Sequence, residues 1–502
     1  MSSADGPVEM GTLVRHAREL RERIWRDPHR PRYHLMPPEG FVNDANGAIY
    51  WNGRYHVFYL ARSPIPDPDN PGADRWVEVW DHVSSADLVR WTYHPPALRP
   101  RHDGSTPNGI WSGGAVRGAP EPTLVYYVPG QGICLAVAED DDLIRWRELE
   151  QNPVIPADAD GEFVVYDPGG WYEDGTYRLL VGNRNNRPGY EGDCTSLFVS
   201  RDLVDWKYEG PFYQSRREWT DLEEDAACPE FFPVGDRHML LFHGHRPYMQ
   251  CHYYLGRYVD GRFEAELHGR MNWPGGQLGG PEALTDPNGR VVFFGWVYEA
   301  APDFGWGRWM EKGWAGAMTL PRILSVRDDG TLGIAPAPEL ESLRRRPRSV
   351  ANVSIPADGE VDLPEMAGDT LELALTIDPA QAEEVGVKVR CAPGESEETC
   401  IVYVPAKRKL RIELMKSTLD PHINYGVPAQ TAPLTLNPDE PLELRVFLDR
   451  SIMEVYANGR QCMTQRVYPT HADSLGVRLL ARGGAAKAVR VEAWDMNPAA
   501  PW

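Results

Sequence analysis

The chain has few cysteines, no long apolar run and no excess of positive charge, and each lack removes a class of function. Seven cysteines in 502 residues (134, 194, 228, 251, 391, 400 and 462) are an odd number with no C-x-x-C pair. Neither a disulfide framework nor a zinc site is indicated. No stretch approaches the roughly 18 apolar residues of a membrane span, and the first residues carry no apolar core of a secretion signal. With reduced thiols expected, the sequence reads as cytoplasmic, with no membrane partner. Lys and Arg number 52 against 73 Asp and Glu, a formal charge of −21. Such a surface repels phosphate backbones, so nucleic acid is not an expected partner. There is no P-loop, no dinucleotide fingerprint and no H-E-x-x-H, and no cofactor is implied. Asp158-Ala-Asp-Gly-Glu162 fails as a calcium loop because Pro156 falls on its first ligand position.

What is abundant points to β-structure. There are 47 Gly, 45 Pro, 17 Trp and 22 Tyr, the mixture of many short strands broken by turns. Leu13, Ala17, Leu20 and Ile24 recur at helical spacing and predict one short helix over 12–25. Beyond it the chain repeats itself. Asp87-Leu-Val-Arg-Trp91, Asp142-Leu-Ile-Arg-Trp146 and Asp202-Leu-Val-Asp-Trp206 recur at intervals of about 55 to 60 residues. Turns at Asn52-Gly53, Asp174-Gly175, Gly235-Asp236 and Asn288-Gly289 each precede an aromatic-rich strand. This period is that of propeller blades, each a sheet unable to bury its faces alone. The expected fold is all-β, a five-bladed β-propeller over 31–335 preceded by an N-terminal helical extension (1–30). A linker follows at 336–349, which includes the basic run Arg344-Arg-Arg-Pro-Arg348. Alternation at Leu442, Leu444, Val446 and Leu448, and the Asn458-Gly459 turn, predict an antiparallel β-sandwich over 350–502.

Propellers bring the first strand of every blade to one funnel, so distant acids can meet there. The segment His34-Leu-Met-Pro-Pro-Glu-Gly-Phe-Val-Asn-Asp44-Ala-Asn-Gly47 places a carboxyl among amides that could hold it ionised. It is equally an ideal Asx turn. The pair His243-Gly-His245, with His252 nearby, has the spacing of one strand face and reads as strand-end histidines, not a metal site.

The chain resembles glycoside hydrolase family 32, the invertases, inulinases and levanases. Asn43-Asp44-Ala-Asn-Gly47 is similar to the family's W-M-N-D-P-N-G box, and Gly109-Ile-Trp-Ser-Gly113 to its W-S-G-S box. Trp314-Ala-Gly-Ala-Met-Thr-Leu-Pro-Arg322, Leu448-Asp-Arg-Ser-Ile-Met-Glu-Val-Tyr456 and Arg466-Val-Tyr-Pro469 continue the likeness in order. The resemblance implies a retaining hydrolase of terminal β-fructofuranosyl or related ketofuranosyl units in oligosaccharides. Asp44 would be the nucleophile, and Asp167, in Tyr166-Asp-Pro168, would bind ring hydroxyls and stabilise the transition state. Asn43, Trp80, Trp111, Ser112, Tyr166, Glu230, Trp296 and Trp314 are the expected substrate contacts. A homo-oligomer is compatible with the sequence.

The departures are as telling. Tyr166 replaces the family's Arg, Leu60 its Gln, and Asp81 adds a carboxyl in Trp80-Asp-His-Val-Ser84. Most consequential, Ala227, in Ala226-Ala-Cys-Pro-Glu230, stands where the family has its acid/base Glu. Alanine transfers no proton, and loss of a positioned acid/base costs about 10²–10⁴-fold. Three explanations stand open: a Glu-to-Ala replacement introduced into this chain, a catalytically silent carbohydrate-binding protein, or a proton supplied by Glu230, Asp225 or Glu224. On the first, restoring Glu at 227 is expected to raise hydrolysis. The same scaffold is also compatible with a fructosyltransferase or an arabinofuranosidase-like propeller enzyme.

Overall fold

The computed structural model describes residues 10–66, 74–101, 106, 108–157, 164–184, 195–214, 219–220, 226–245, 249–301 and 303–499. The predicted helix forms over Met10–Arg26. Its buried Ile24 and half-buried Leu20 face Gly313, where a Cβ would stand 3.2 Å from each.

Five antiparallel units follow, each opened by a strand near the axis: Ala45–Trp51, Gly113–Arg117, Val164–Glu173, Ala227–Val234 and Gly279–Thr285. Each packs on the next, and the last packs on the first, which closes the ring. The second and third units also join by parallel pairing of Val116 with Gly170. The D-L-x-x-W repeat is a turn device at the outer strands. Leu88, Leu143 and Leu203 all take φ between 56 and 69°, while Asp87, Asp140 and Asp202 accept the following backbone N–H groups. In the second copy the capping carboxylate is thus Asp140, two residues before the aligned Asp142.

Four of the five inner strands carry a register shift: Asn46/Ile49, Tyr166/Gly169, Ala227/Glu230 and Gly279/Glu282. Within each bulge one residue takes positive φ: Gly47 (52°), Asp167 (41°), Cys228 (51°) and Gly280 (46°). Three of these precede a proline, at 168, 229 and 281. Bulges re-aim the chain, and here they turn one residue in each of these four strands.

The sandwich consists of two six-stranded sheets enclosing a core that includes Leu371, Leu373, Val387, Ile401, Val446, Val455 and Leu479. The linker expected at 336–349 is largely structured. Pro338–Leu343 is a 3-10 helix and Arg344–Ile355 is an edge strand of the sandwich. The arginines that suggest a solvated linker are held by acids, Arg344 by Glu372 at 2.8 Å and Arg348 by Asp495 at 2.5 Å.

Buried charges tie the sandwich to the propeller. His34 Nδ1 meets Asp449 at 2.8 Å and its Nε2 meets Glu454 at 3.3 Å, and Arg322 Nη2 donates to Glu454 at 2.9 Å, all inaccessible to solvent. Arg466 pairs with Glu299 at 2.8 Å, and Tyr468 donates to the same carboxylate at 2.5 Å. Burial opposes charging His34, but the hydrogen bonds from Asp449 and Glu454 overcome it and raise its pKa. Burial would also raise the Glu454 carboxyl, yet Arg322 and His34 hold it down at about 2. Among the described residues, no helix is long and apolar enough to cross a membrane.

Candidate active site

Asp44 stands just before the first inner strand. Its backbone is clamped by Asn43 N–H donating to Leu60 O (2.9 Å) and Leu60 N–H donating to Asp44 O (3.0 Å). Leu60 thus serves through its main chain, which needs no amide side chain. Asn43 Oδ1 accepts from Asp44 N at 2.7 Å, and Ser112 Oγ donates to Asp44 Oδ2 at 2.7 Å. Burial lifts the Asp44 carboxyl above the usual range, and the Ser112 hydrogen bond and nearby His245 pull it part of the way back. Gly280 abuts the other oxygen, because a Cβ there would lie 2.4 Å from Asp44 Oδ1.

Asp167 and Cys228 occupy equivalent bulge positions in the third and fourth blades. Non-glycine residues at such φ cost of order 1–3 kcal/mol each and cluster at functional sites. Burial drives the Cys228 thiol well above its ordinary pKa, reinforced first by Asp167 and then by Asp44 and Glu282. Cys228 therefore lies among the carboxyls of three other blades. Asp44 and Asp167 both act on the Cys228 thiol at the fourth blade's head.

Position 227 is in that strand head but fully covered, and belongs to the same apolar cluster as Tyr166. Glu224 and Asp225 lie outside the described residues, as does the segment 158–162. Glu230 is buried. It is 3% exposed and its Oε2 accepts from Arg117 Nη2 at 2.6 Å. Arg117 also donates to Ala283 O at 2.9 Å.

Several expected substrate contacts prove to be core. Trp80 is fully buried with Nε1 donating to Trp111 O at 2.9 Å. Trp314 is fully buried with Nε1 donating to Asp27 at 3.2 Å and Arg308 stacked over its ring. Trp296 packs among Phe41, Tyr298 and Phe304, and Tyr166 is equally covered. Each is packed inside the protein, where a large ring fills more volume than an aliphatic chain. Trp111 differs: at 38% exposed and adjoining Ser112, it stands open to a ligand. Asp81 faces Tyr59 in register and burial raises it to about 6.

The residues that sequence reasoning passed over are Arg117, Glu282 and the partners of His243. Glu282 is buried, its Oε1 accepting from Ala48 N at 3.0 Å, so it holds the turn just after Asp44. Its position in Gly279-Gly-Pro-Glu282, the head of the fifth blade, was the available signal. Burial raises both Glu230 and Glu282, each next to the other. His252 turns away from His243 and bonds His268 Nε2 through Nδ1 at 2.8 Å. Among the described residues no group of three His, Cys, Asp or Glu gathers as a metal site.

Comparison with known proteins decides the family. Residues 34–336 match the glycosyl hydrolases family 32 N-terminal domain, and residues 339–495 match its C-terminal domain. The chain belongs to glycosyl hydrolase family 32. It is a glycoside hydrolase by that membership. It is 28% identical to the sucrose-6-phosphate hydrolase of Escherichia coli over 461 residues, covering 88% of this chain and 89% of that protein. It is 27% identical to the levanase of Bacillus subtilis, covering 94% of this chain and 70% of that protein. Among solved structures, fructan 1-exohydrolase IIa from Cichorium intybus superposes with a TM-score of 0.80 at 23% identity, covering 94% of this chain and 98% of that one. The exo-inulinase of Aspergillus awamori reaches 0.77 at 21% identity, covering 95% and 100%. These structures share the propeller and sandwich of the family 32 chain.

Proposed function

We propose that this family 32 chain cleaves terminal β-fructofuranosyl units from oligosaccharides with retention, through a covalent intermediate on Asp44. The observation that carries the reading is the setting of Asp44. It is a carboxyl gripped on one oxygen by Ser112 and backed on the other by the bare backbone of Gly280, and it acts together with Asp167 on the Cys228 thiol. A carboxylate with one oxygen held and the other near a glycine can approach an anomeric carbon without steric conflict. Asp167, at the positive-φ position of its bulge, would hold furanose hydroxyls while positive charge develops at C2. Relatives named for sucrose-6-phosphate, raffinose and levan support a fructosyl substrate. The described cysteines are all free and buried, which supports a reducing compartment.

The test is covalent. β-Fructofuranosyl fluoride, whose leaving group needs no proton, is mixed with the chain and the protein is weighed intact. A mass gain of one fructosyl unit, located on the peptide carrying Asp44 and absent in Asp44→Ala, is the expected result. Ala227 favours a second reading, that of a silent sugar-binding protein. Fructoside binding with neither an adduct nor release of fluoride would establish it and remove the first.

A further inference from the structure

A retaining mechanism needs a proton donor for the leaving oxygen, and position 227 has none. The fourth blade supplies titratable groups beside it. His243 is the cross-strand partner of Ala227 in the register of the inner strands. Its Nδ1 accepts the backbone N–H of Gly280 at 3.1 Å, and Gly280 is the residue whose backbone abuts Asp44. A ring accepting at Nδ1 carries its proton on Nε2. That Nε2 faces Nε2 of His245 at 3.4 Å, the rings lying 4.8 Å apart at 75°. His243 is 1% exposed, whereas His245 is exposed to solvent. The tautomer of one histidine thus fixes the other. His243 donates through Nε2 and neutral His245 accepts there, so a proton reaches that lone pair of His245 only when the ring turns from His243.

Building on the retaining reading above, we propose that His245 is the catalytic acid/base of this chain, in place of the carboxyl absent at 227, with His243 as its positioning residue. In the first step an Asp44 oxygen forms a bond to C2 as the C2–O bond to the leaving group breaks. The imidazolium of His245, turned from His243 by the proton on its Nε2, gives that proton to the departing oxygen and becomes neutral. In the second step neutral His245 takes a proton from water as that water's oxygen bonds to C2. The Asp44 ester bond breaks, and carboxylate and imidazolium are both restored. The arrangement suits these charges, since a cationic His245 favours the ionised form of Asp44. A metal role for the pair lacks a third ligand among the described residues, because His252 is committed to His268.

The experiment uses the full chain with Ala227 in place. Methyl β-fructofuranoside needs acid assistance to leave, and β-fructofuranosyl fluoride does not. His245→Ala is expected to lower kcat/KM on the methyl fructoside by about 10²–10⁴-fold and on the fluoride by far less. Azide is expected to speed its turnover and yield fructosyl azide. His243→Asn is expected to show the same leaving-group dependence in weaker form, whereas a merely structural role would depress both substrates alike. Equal rates for the parent and His245→Ala on methyl fructoside, or no turnover of it by the parent while the fluoride still reacts through Asp44, would overturn the proposal alone. Failure of the fluoride to react at all would instead remove the retaining reading, and this proposal with it.

Discussion

Ser112 donates its hydroxyl proton to Asp44 Oδ2 at 2.7 Å, tying the second blade to the first at the carboxyl proposed as nucleophile. The bond stabilises the ionised form against the burial that raises the Asp44 pKa. Removing it in Ser112→Ala raises that pKa further, and a nucleophile must be ionised, so the acidic limb of kcat/KM moves to higher pH. A hydrogen bond to a charged group is worth about 1.5–3 kcal/mol, so the limb is expected to move up by about one to two pH units. Rates against pH with β-fructofuranosyl fluoride check this. An unshifted limb would mean Ser112 does not set the charge state of Asp44.

Below that carboxyl, Arg117 bonds Glu230 while Glu282 bonds Ala48 N. Glu230 alone pairs with the guanidinium, and burial raises both carboxyls above the ordinary carboxylate range. The native state therefore holds protons that the unfolded chain releases above about pH 4.3. Their contribution is full below that pH and is lost as pH rises through the folded pKa values. Glu230→Gln removes one titration, so the decline in stability between pH 5 and 8 should flatten. Urea unfolding at a series of pH values measures it; an unchanged slope would place the pH dependence elsewhere.

Much of this architecture is written locally. Turn residues and repeated D-L-x-x-W segments specify blades because each acts within a few residues, as Asp87 and Asp202 do on their own turns. Asp44 is legible for the same reason: its Asn43 clamp is a neighbour. The Glu230–Arg117 pair is not, since its partners are 113 residues apart and only ring closure joins them. The tryptophans mislead for a related reason. Residue type gives a large ring with one donor, and whether it lines a pocket depends on what stands beyond it. For Trp80 that is the carbonyl of Trp111, which satisfies the indole inside the protein. Prolines at 168, 229 and 281 mark three bulges, but the shifts themselves appear only once the strands are registered.

His34 bridges Asp449 and Glu454 at the junction of propeller and sandwich. His34→Leu leaves two buried carboxylates without it, and breaking such a group costs about 3–5 kcal/mol. Its folded pKa is raised, so its contribution is full below the unfolded value of about 6.5 and is lost as pH rises through the folded value. Glu454, held at about 2, contributes above the ordinary carboxylate pKa and loses its part as pH falls toward 2. Urea unfolding followed by tryptophan fluorescence should show the variant weakened most at pH 6 and least at high pH. A variant as stable as the parent at pH 6 would mean the bridge holds nothing together.

Tyr166 and Ala227 replace, together, an arginine and a glutamate of the family pattern, and both now lie in one covered apolar cluster. Ala227→Glu alone forces a carboxyl into that cluster, which costs about 1–3 kcal/mol through an unsatisfied polar group. Tyr166→Arg alone buries an unpaired guanidinium at a comparable cost. Made together, the two charges can pair, so the double variant should be more stable than the sum of the single losses by about 0.5–3 kcal/mol. Urea unfolding of the four chains measures the coupling. The double variant in a His245→Ala background should also recover turnover of methyl β-fructofuranoside that His245→Ala lacks. Strict additivity, with no recovery, would mean that the two substitutions are independent and that the fourth blade no longer has room for a carboxyl at its head.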